Sequence, residues 1–219
     1  MGPAAGARAG VLVGGLLVAA LVLARPVPDP PRPAAPGASA EAFLAAWRLS
    51  RTATFVTAGT YTRLIDGRPA LATPTRTVQR PPDRLVAGPG SVQGRLDGRR
   101  LGCALVVDGD ARCRVGEPVG PYASAVDHEV SILVRQVIGD GRLYAVSDDG
   151  PGCFALRLER AVPDAPYGRR ARFCFDGSSG ALVSSRIDRG RAVDLVEISE
   201  VRVAVTEDDL EPPTHRPRS

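Results

Sequence analysis

The sequence predicts an α+β domain, mainly antiparallel β, in which one curved sheet carries a short N-terminal helix and one central helix packed on its concave face. Three observations lead there. Gly, Pro and Asp turn signals punctuate β-branched and aromatic runs throughout the last third of the chain. Alternating residues in two of those runs fix their own pairing. One long apolar stripe at helical spacing, 121–139, interrupts the strands midway.

Residues 9–24 carry no charge and lie between Arg8 and Arg25. As a helix these 16 residues would be about 24 Å long, against a hydrocarbon core of about 30 Å. Two readings follow. The run is an uncleaved single-span anchor with Arg8 and Arg25 at the interfaces, or a signal peptide cleaved near Ala24, where Val22-Leu23-Ala24 suits a peptidase. Both export the rest of the chain, and the N-terminal Arg sets a cytoplasmic N-terminus. The expected location is the cell membrane with the domain outside the cytoplasm, or secretion after cleavage. Residues 25–40 hold Pro26, Pro28, Pro30, Pro31, Pro33 and Pro36, a semi-rigid spacer. The folded domain is expected over 41–212 and a disordered tail over 213–219.

The domain opens with a short helix, Glu41–Ser50. Phe43, Leu44 and Trp47 share one face, Ser39 is its N-cap, and Trp47 is a core anchor. Thr52–Ile65 reads as a long strand, turned at Asp66-Gly67 and returned over Ala70–Gln79. Pro81-Pro82-Asp83 breaks the chain before Arg84–Ala87. Ser91–Leu96 and Arg99–Val107 form a hairpin about Asp97-Gly98, a strong hairpin signal, and Arg112–Val115 closes this half.

In the helix that follows, Tyr122, Val126, Val130, Leu133, Val134, Val137 and Ile138 form the apolar stripe. Pro121 starts it, Gly139 stops it, and Asp127, Glu129 and Arg135 take the outer face. Five strands complete the domain: Arg142–Val146, Cys153–Arg160, Arg169–Asp176, Ala181–Ile187 and Ala192–Val205. If Cys153 sits opposite Cys174, then Phe154 faces Phe173, Leu156 faces Ala171, and Arg157 faces Arg170. The apolar residues then share one face, and a slip of one residue destroys the match.

Cys103, Cys113, Cys153 and Cys174 allow three disulfide connectivities. The local one is expected, Cys103–Cys113 across the turn Val107-Asp108-Gly109 and Cys153–Cys174 across the paired strands. Parity places Cys103 and Cys113 with Leu101, Leu105, Val107 and Val115 on an apolar face. Metal-binding cysteines come as closely spaced pairs, and these are far apart in sequence. Disulfides require an oxidising compartment.

No catalytic arrangement is visible, so no enzyme, cofactor or metal site is expected. His128-Glu129 lacks the second His of a zinc motif and His215 falls in the tail. Asp108, Asp110, Asp148 and Asp149 sit at turn tips, where acids favour turns. All 28 basic residues are Arg and the net charge is only +4, with both signs interleaved along the strands. That excludes the clustered basic stripe of a nucleic-acid binder.

Three segments resemble the LolA-like half-barrel superfamily. Thr75-Arg76-Thr77-Val78-Gln79-Arg80-Pro81-Pro82-Asp83-Arg84 resembles its strand-to-strand junction, and Leu96-Asp97-Gly98-Arg99 resembles the following hairpin. Val201 to Pro212 resembles its closing strand and terminal element, with Leu210 where an aromatic is usual. The group includes lipoprotein carriers, the N-terminal domain of RseB/MucB regulators, and LppX/LprG-type lipid carriers. This chain departs from them in lacking the lipobox, in lacking the second domain of the RseB type, and in its two disulfides.

The resemblance implies one of two non-enzymatic roles. The first is a membrane-tethered half-barrel binding a lipid or acyl chain in an apolar trough, with a deep cavity lined by Leu, Val and Phe. The second is a regulatory module binding another envelope protein, with a filled core and recognition on an edge or loop. The clusters Arg99-Arg100 and Arg169-Arg170-Arg172 are read as solvated strand faces, or as contacts to anionic headgroups or an acidic partner.

Overall fold

The computed structural model describes residues 37–105 and 111–212. The apolar run 9–24, most of the Pro-rich spacer, the turn at Val107-Asp108-Gly109, Asp108, Asp110, His215 and the tail lie outside the described residues. Among the described residues no helix is long and apolar enough to cross a membrane.

The chain runs through α1 (Ala38–Thr52), β1 (Phe55–Ile65), β2 (Arg68–Arg80), β3 (Asp83–Gly88), β4 (Ser91–Leu96), β5 (Arg99–Leu105) and β6 (Ala111–Pro118). It continues through α2 (Tyr122–Val137), β7 (Tyr144–Asp148), β8 (Cys153–Leu158), β9 (Arg170–Phe175), β10 (Leu182–Asp188), β11 (Ala192–Arg202) and α3 (Glu207–Leu210). All strands join one open antiparallel sheet in the order β6-β5-β4-β3-β2-β1-β11-β10-β9-β8-β7. Two meanders thus meet where the first strand pairs with the last, and β6 and β7 are the free edges. Since α2 connects those edges, it must cross a face of the sheet.

The Asp-Gly turns behave as their sequence requires. Asp66 and Gly67, and Asp97 and Gly98, all have positive φ, the I′ geometry that joins twisted strands tightly. In the second meander Cys153 faces Cys174, Phe154 faces Phe173, Leu156 faces Ala171, and Arg157 faces Arg170. Disulfides join Cys103 to Cys113 and Cys153 to Cys174.

Both long helices lie on one face of the sheet. Phe43 and Trp47 of α1 and Val126, Val130, Leu133 and Val137 of α2 pack with Tyr144, Phe154, Leu156, Phe173 and Phe175 into an aromatic core. The Phe43 ring lies 5.7 Å from Phe154 and 5.9 Å from Phe173, and Trp47 stands edge-on to Phe173 at 5.5 Å. Such tilted and edge arrangements suit the ring quadrupoles. The polar end of the Trp47 indole is satisfied, because its Nε1 donates to Glu129 at 3.0 Å.

In the first meander the apolar side is reversed. Gln79 on β2 points to the helix face, where its Nε2 donates to the carbonyls of Ser50 and Ala53 at 3.0 and 2.7 Å. Its strand partner is Arg84. Val78 and Leu85, one residue along in each strand, therefore point the other way. They pack there with Val56, Val92, Leu101, Cys103 and Leu210 into a second core. Leu210 sits on α3, which closes through a capping box between Thr206 and Asp209. Asp209 also accepts from Arg76 at 2.6 Å and Arg202 at 2.7 Å, and the Arg202 bond, then Thr206, holds its carboxyl well below the usual range.

Several expectations are corrected. Helix α1 begins at Ala38, inside the expected spacer, and its N-cap is Gly37; Ser39 lies within the helix and donates to Asp148 instead. Val115 is 59% exposed, because β6 is an edge strand and nothing packs over that position. Helix α2 ends at Val137, so Ile138 leaves the stripe in extended backbone, and Ile138 and Val134 are exposed. Glu129 is not on an outer face: α1 lies against it, and Arg51 grips it at 2.8 Å.

Gln79 ties the end of α1 to β2 and is fully buried. Gln79→Leu should cost about 1–3 kcal/mol by leaving the buried Ser50 carbonyl and the half-buried Ala53 carbonyl without this donor. Urea denaturation reads this, and an unchanged midpoint would show that the tie carries no stability.

Candidate functional site

The reversal leaves the helix-side face of the first meander without an apolar residue set. Arginines stand there instead. Arg84 on β3 is directly opposite Arg95 on β4, and Arg95 is directly opposite Arg100 on β5. On β6, Arg112 and Arg114 share this face, opposite Ala104 and Gly102. Like charges directly opposite across strands are destabilising, and none of these five forms an ion pair among the described residues, as Arg170 and Arg186 of the second meander also do not, whereas Arg48, Arg51, Arg63, Arg76 and Arg80 do.

Two adjoining hollows lie over this row. An open trough of about 1250 Å³ runs along β3–β6, with Gln93, Gly102, Ala104, Arg112 and Arg114 on its floor. A narrower hollow of about 540 Å³ lies between the first half of α2 and strands β3–β5. Its apolar wall is Val119, Pro121, Tyr122, Ala125 and Val126, and its polar wall is Arg51, Arg84, Arg95, Arg100 and Glu129. Arg84, Gly94 and Arg100 line both.

Local structure fixes the narrower hollow. Pro121 sets the start of α2, and the Tyr122 hydroxyl donates to the carbonyl of Arg51 at 2.6 Å, holding that end of α2 against α1. Arg51 forks onto Glu129 and lies 4.7 Å over the Trp47 ring. Burial pushes the Glu129 carboxyl up, and Arg51, with Trp47, outweighs it and holds the group below its ordinary value. Arg95 donates through Nη1 to the Gly120 carbonyl at 2.6 Å and lies 5.8 Å from the Tyr122 ring centre.

Two buried donors have no acceptor. The Nε atoms of Arg84 and Arg95 are buried without a hydrogen-bond partner among the described residues. Burial first, then repulsion from Arg51, brings the Arg84 guanidinium down to about 10. The site can therefore accept an apolar body against α2 and an anion against the arginines. No described group of three His, Cys, Asp or Glu residues is placed to hold a metal.

Of the residues singled out in the sequence, Arg100 alone of the named Arg clusters joins this row. Arg99 points to the other face, and Arg172 pairs with Asp149 on the outer face of the second meander. His128 lines the narrower hollow, while Asp148 accepts from Ser39. Neither hollow is lined by Phe, and beneath the helices Phe43, Trp47, Phe154, Phe173 and Phe175 pack ring against ring. Sequence reading missed Arg84, Arg95, Arg112 and Arg114. Their signal was the alternation Arg112-x-Arg114 and the Arg at matching ends of three paired strands.

No protein-family model matches the chain, and no curated protein sequence matches it. Solved structures do. The chain is similar to one in the complex structure of Pseudomonas aeruginosa MucA/MucB, with 13% identity and a TM-score of 0.41 over 80% of this chain and 60% of that one. It is similar to LprF from Mycobacterium bovis, with 12% identity and a TM-score of 0.38 over 80% of this chain and 97% of that one. A putative outer membrane lipoprotein-sorting protein domain from Vibrio parahaemolyticus matches with 10% identity and a TM-score of 0.22, over 78% and 97%. The chain thus spans 60% of the length of the MucA/MucB chain it matches. These likenesses are of fold alone.

Arg84→Met keeps most of the side-chain volume and removes one charge from the row. It should leave stability unchanged or raise it by about 1 kcal/mol. Chemical denaturation measures this, and a loss of that size would mean the arginine has a structural partner.

Proposed function

We propose that the chain is an exported, membrane-tethered, non-enzymatic domain that takes a lipid or acyl chain into the hollow between α2 and β3–β5. One observation carries this reading. In a molecule whose aromatic core is filled, a space of about 540 Å³ with an apolar wall is left open, within the usual range for ligand cavities. Export is supported by the two disulfides. The tether is assigned to the apolar run 9–24, outside the described residues.

The filled aromatic core favours a second reading, an envelope protein-interaction module, because the main space beneath the helices offers a ligand nothing. The free edges β6 and β7 would then be the places of recognition.

Native mass spectrometry on the exported chain separates the two. A mass adduct that solvent extraction removes, and that Ala125→Trp abolishes by filling the hollow, is the expected result. A clean apo mass with no uptake from membrane lipids would remove the lipid reading and leave the interaction module.

A further inference from the structure

We infer that the ligand of this hollow is an amphiphile whose head bears a phosphate group, held by the arginine row of β3–β5. This rests on the reading that the hollow takes a chain, and it names the chemistry at the other end.

Four observations converge. Arg84, Arg95 and Arg100 are stacked abreast by strand register, so their mutual repulsion is built into the fold. They have no carboxylate partner among the described residues, although ion pairs are common elsewhere on the molecule. Arg84 and Arg95 keep buried Nε donors unused, a costly state that an acceptor in the hollow relieves. The start of α2, whose residues line the same hollow, has neither a side-chain cap nor an acid in its first turn. A helix start leaves N–H groups without acceptors and carries partial positive charge.

Phosphate suits this arrangement. Its several oxygens accept forked guanidinium donors from more than one arginine at once, where a single carboxylate serves one fork. The apolar wall beside it makes an amphiphile a better fit than a free ion. Space for the head is also left bare in the trough. Gly102 has neither a left-handed φ nor a close neighbour, since a Cβ there would meet nothing within 4 Å. Neither sterics nor backbone conformation calls for glycine at that position.

The test is isothermal titration of the exported full chain with three probes: 1-palmitoyl lysophosphatidate below its micelle concentration, monopalmitoylglycerol, and inorganic phosphate. Lysophosphatidate should bind at least about tenfold more tightly than monopalmitoylglycerol, the scale of one charge-assisted contact. Arg84→Gln and Arg100→Gln should each remove much of that preference, weakening lysophosphatidate binding about tenfold more than monopalmitoylglycerol binding. Arg100 is exposed, so its variant reads binding with the fold intact. Equal binding of the two lipids would overturn the headgroup assignment and leave the chain-binding reading standing. Binding of neither lipid would overturn both. Inorganic phosphate binding as tightly as lysophosphatidate would overturn the amphiphile in favour of a free anion.

Discussion

Phe43 and Trp47 of α1, wedged among Phe154, Phe173 and Phe175, commit the helices to one half of the sheet. Much of the rest depends on this contact. Helix α2 follows α1, because Arg51 and Tyr122 tie the two together and Arg48 pairs with Asp127. Its buried stripe, Val126 to Val137, is pressed into the aromatic core. Its first turns also extend beside β3–β5, where the sheet offers arginines rather than apolar side chains, and a hollow is left between them.

Strand alternation makes the asymmetry lasting. Each residue of a strand belongs to one face, and a half-sheet can bury only one of them well. The second meander buries its helix side. The first buries the opposite side, under Leu210 and the small capped helix α3. Exchanging the two would require slipping every strand of β2–β5 by one residue, which would expose Val78, Leu85, Val92 and Leu101. Two cores on opposite faces thus share one continuous ladder. On the outer face of the second meander Arg172 pairs with Asp149 and Arg157 with Glu159, while Arg170 and Arg186 form no ion pair among the described residues. On the helix side of the first meander Arg84, Arg95 and Arg100 also form none, and there two of them bury a donor without an acceptor.

Much of this was legible in the sequence. The Asp-Gly pairs and the alternation of Phe154, Leu156, Phe173 and Phe175 specify hairpins and register locally, and the structure has both. The side on which each half buries its apolar residues was not legible. Periodicity shows that two faces differ, while the face a helix lands on is decided by contacts distant in sequence, such as Gln79 with Ser50. For the same reason Glu129 looked like a surface acid on its own helix until α1 was placed against it. The arginine row was hidden because each member, taken within its own strand, is an ordinary polar residue in an alternating pattern. Only the pairing of three strands makes them neighbours.

A crystal structure of the chain with 1-palmitoyl lysophosphatidate tests the central claim most directly. The acyl chain is expected between α2 and β3–β5, with phosphate oxygens within hydrogen-bond distance of Arg84 and Arg95. A ligand lodged among Phe43, Trp47 and Phe173, or held on the outer face at Arg170 and Arg172, would contradict it.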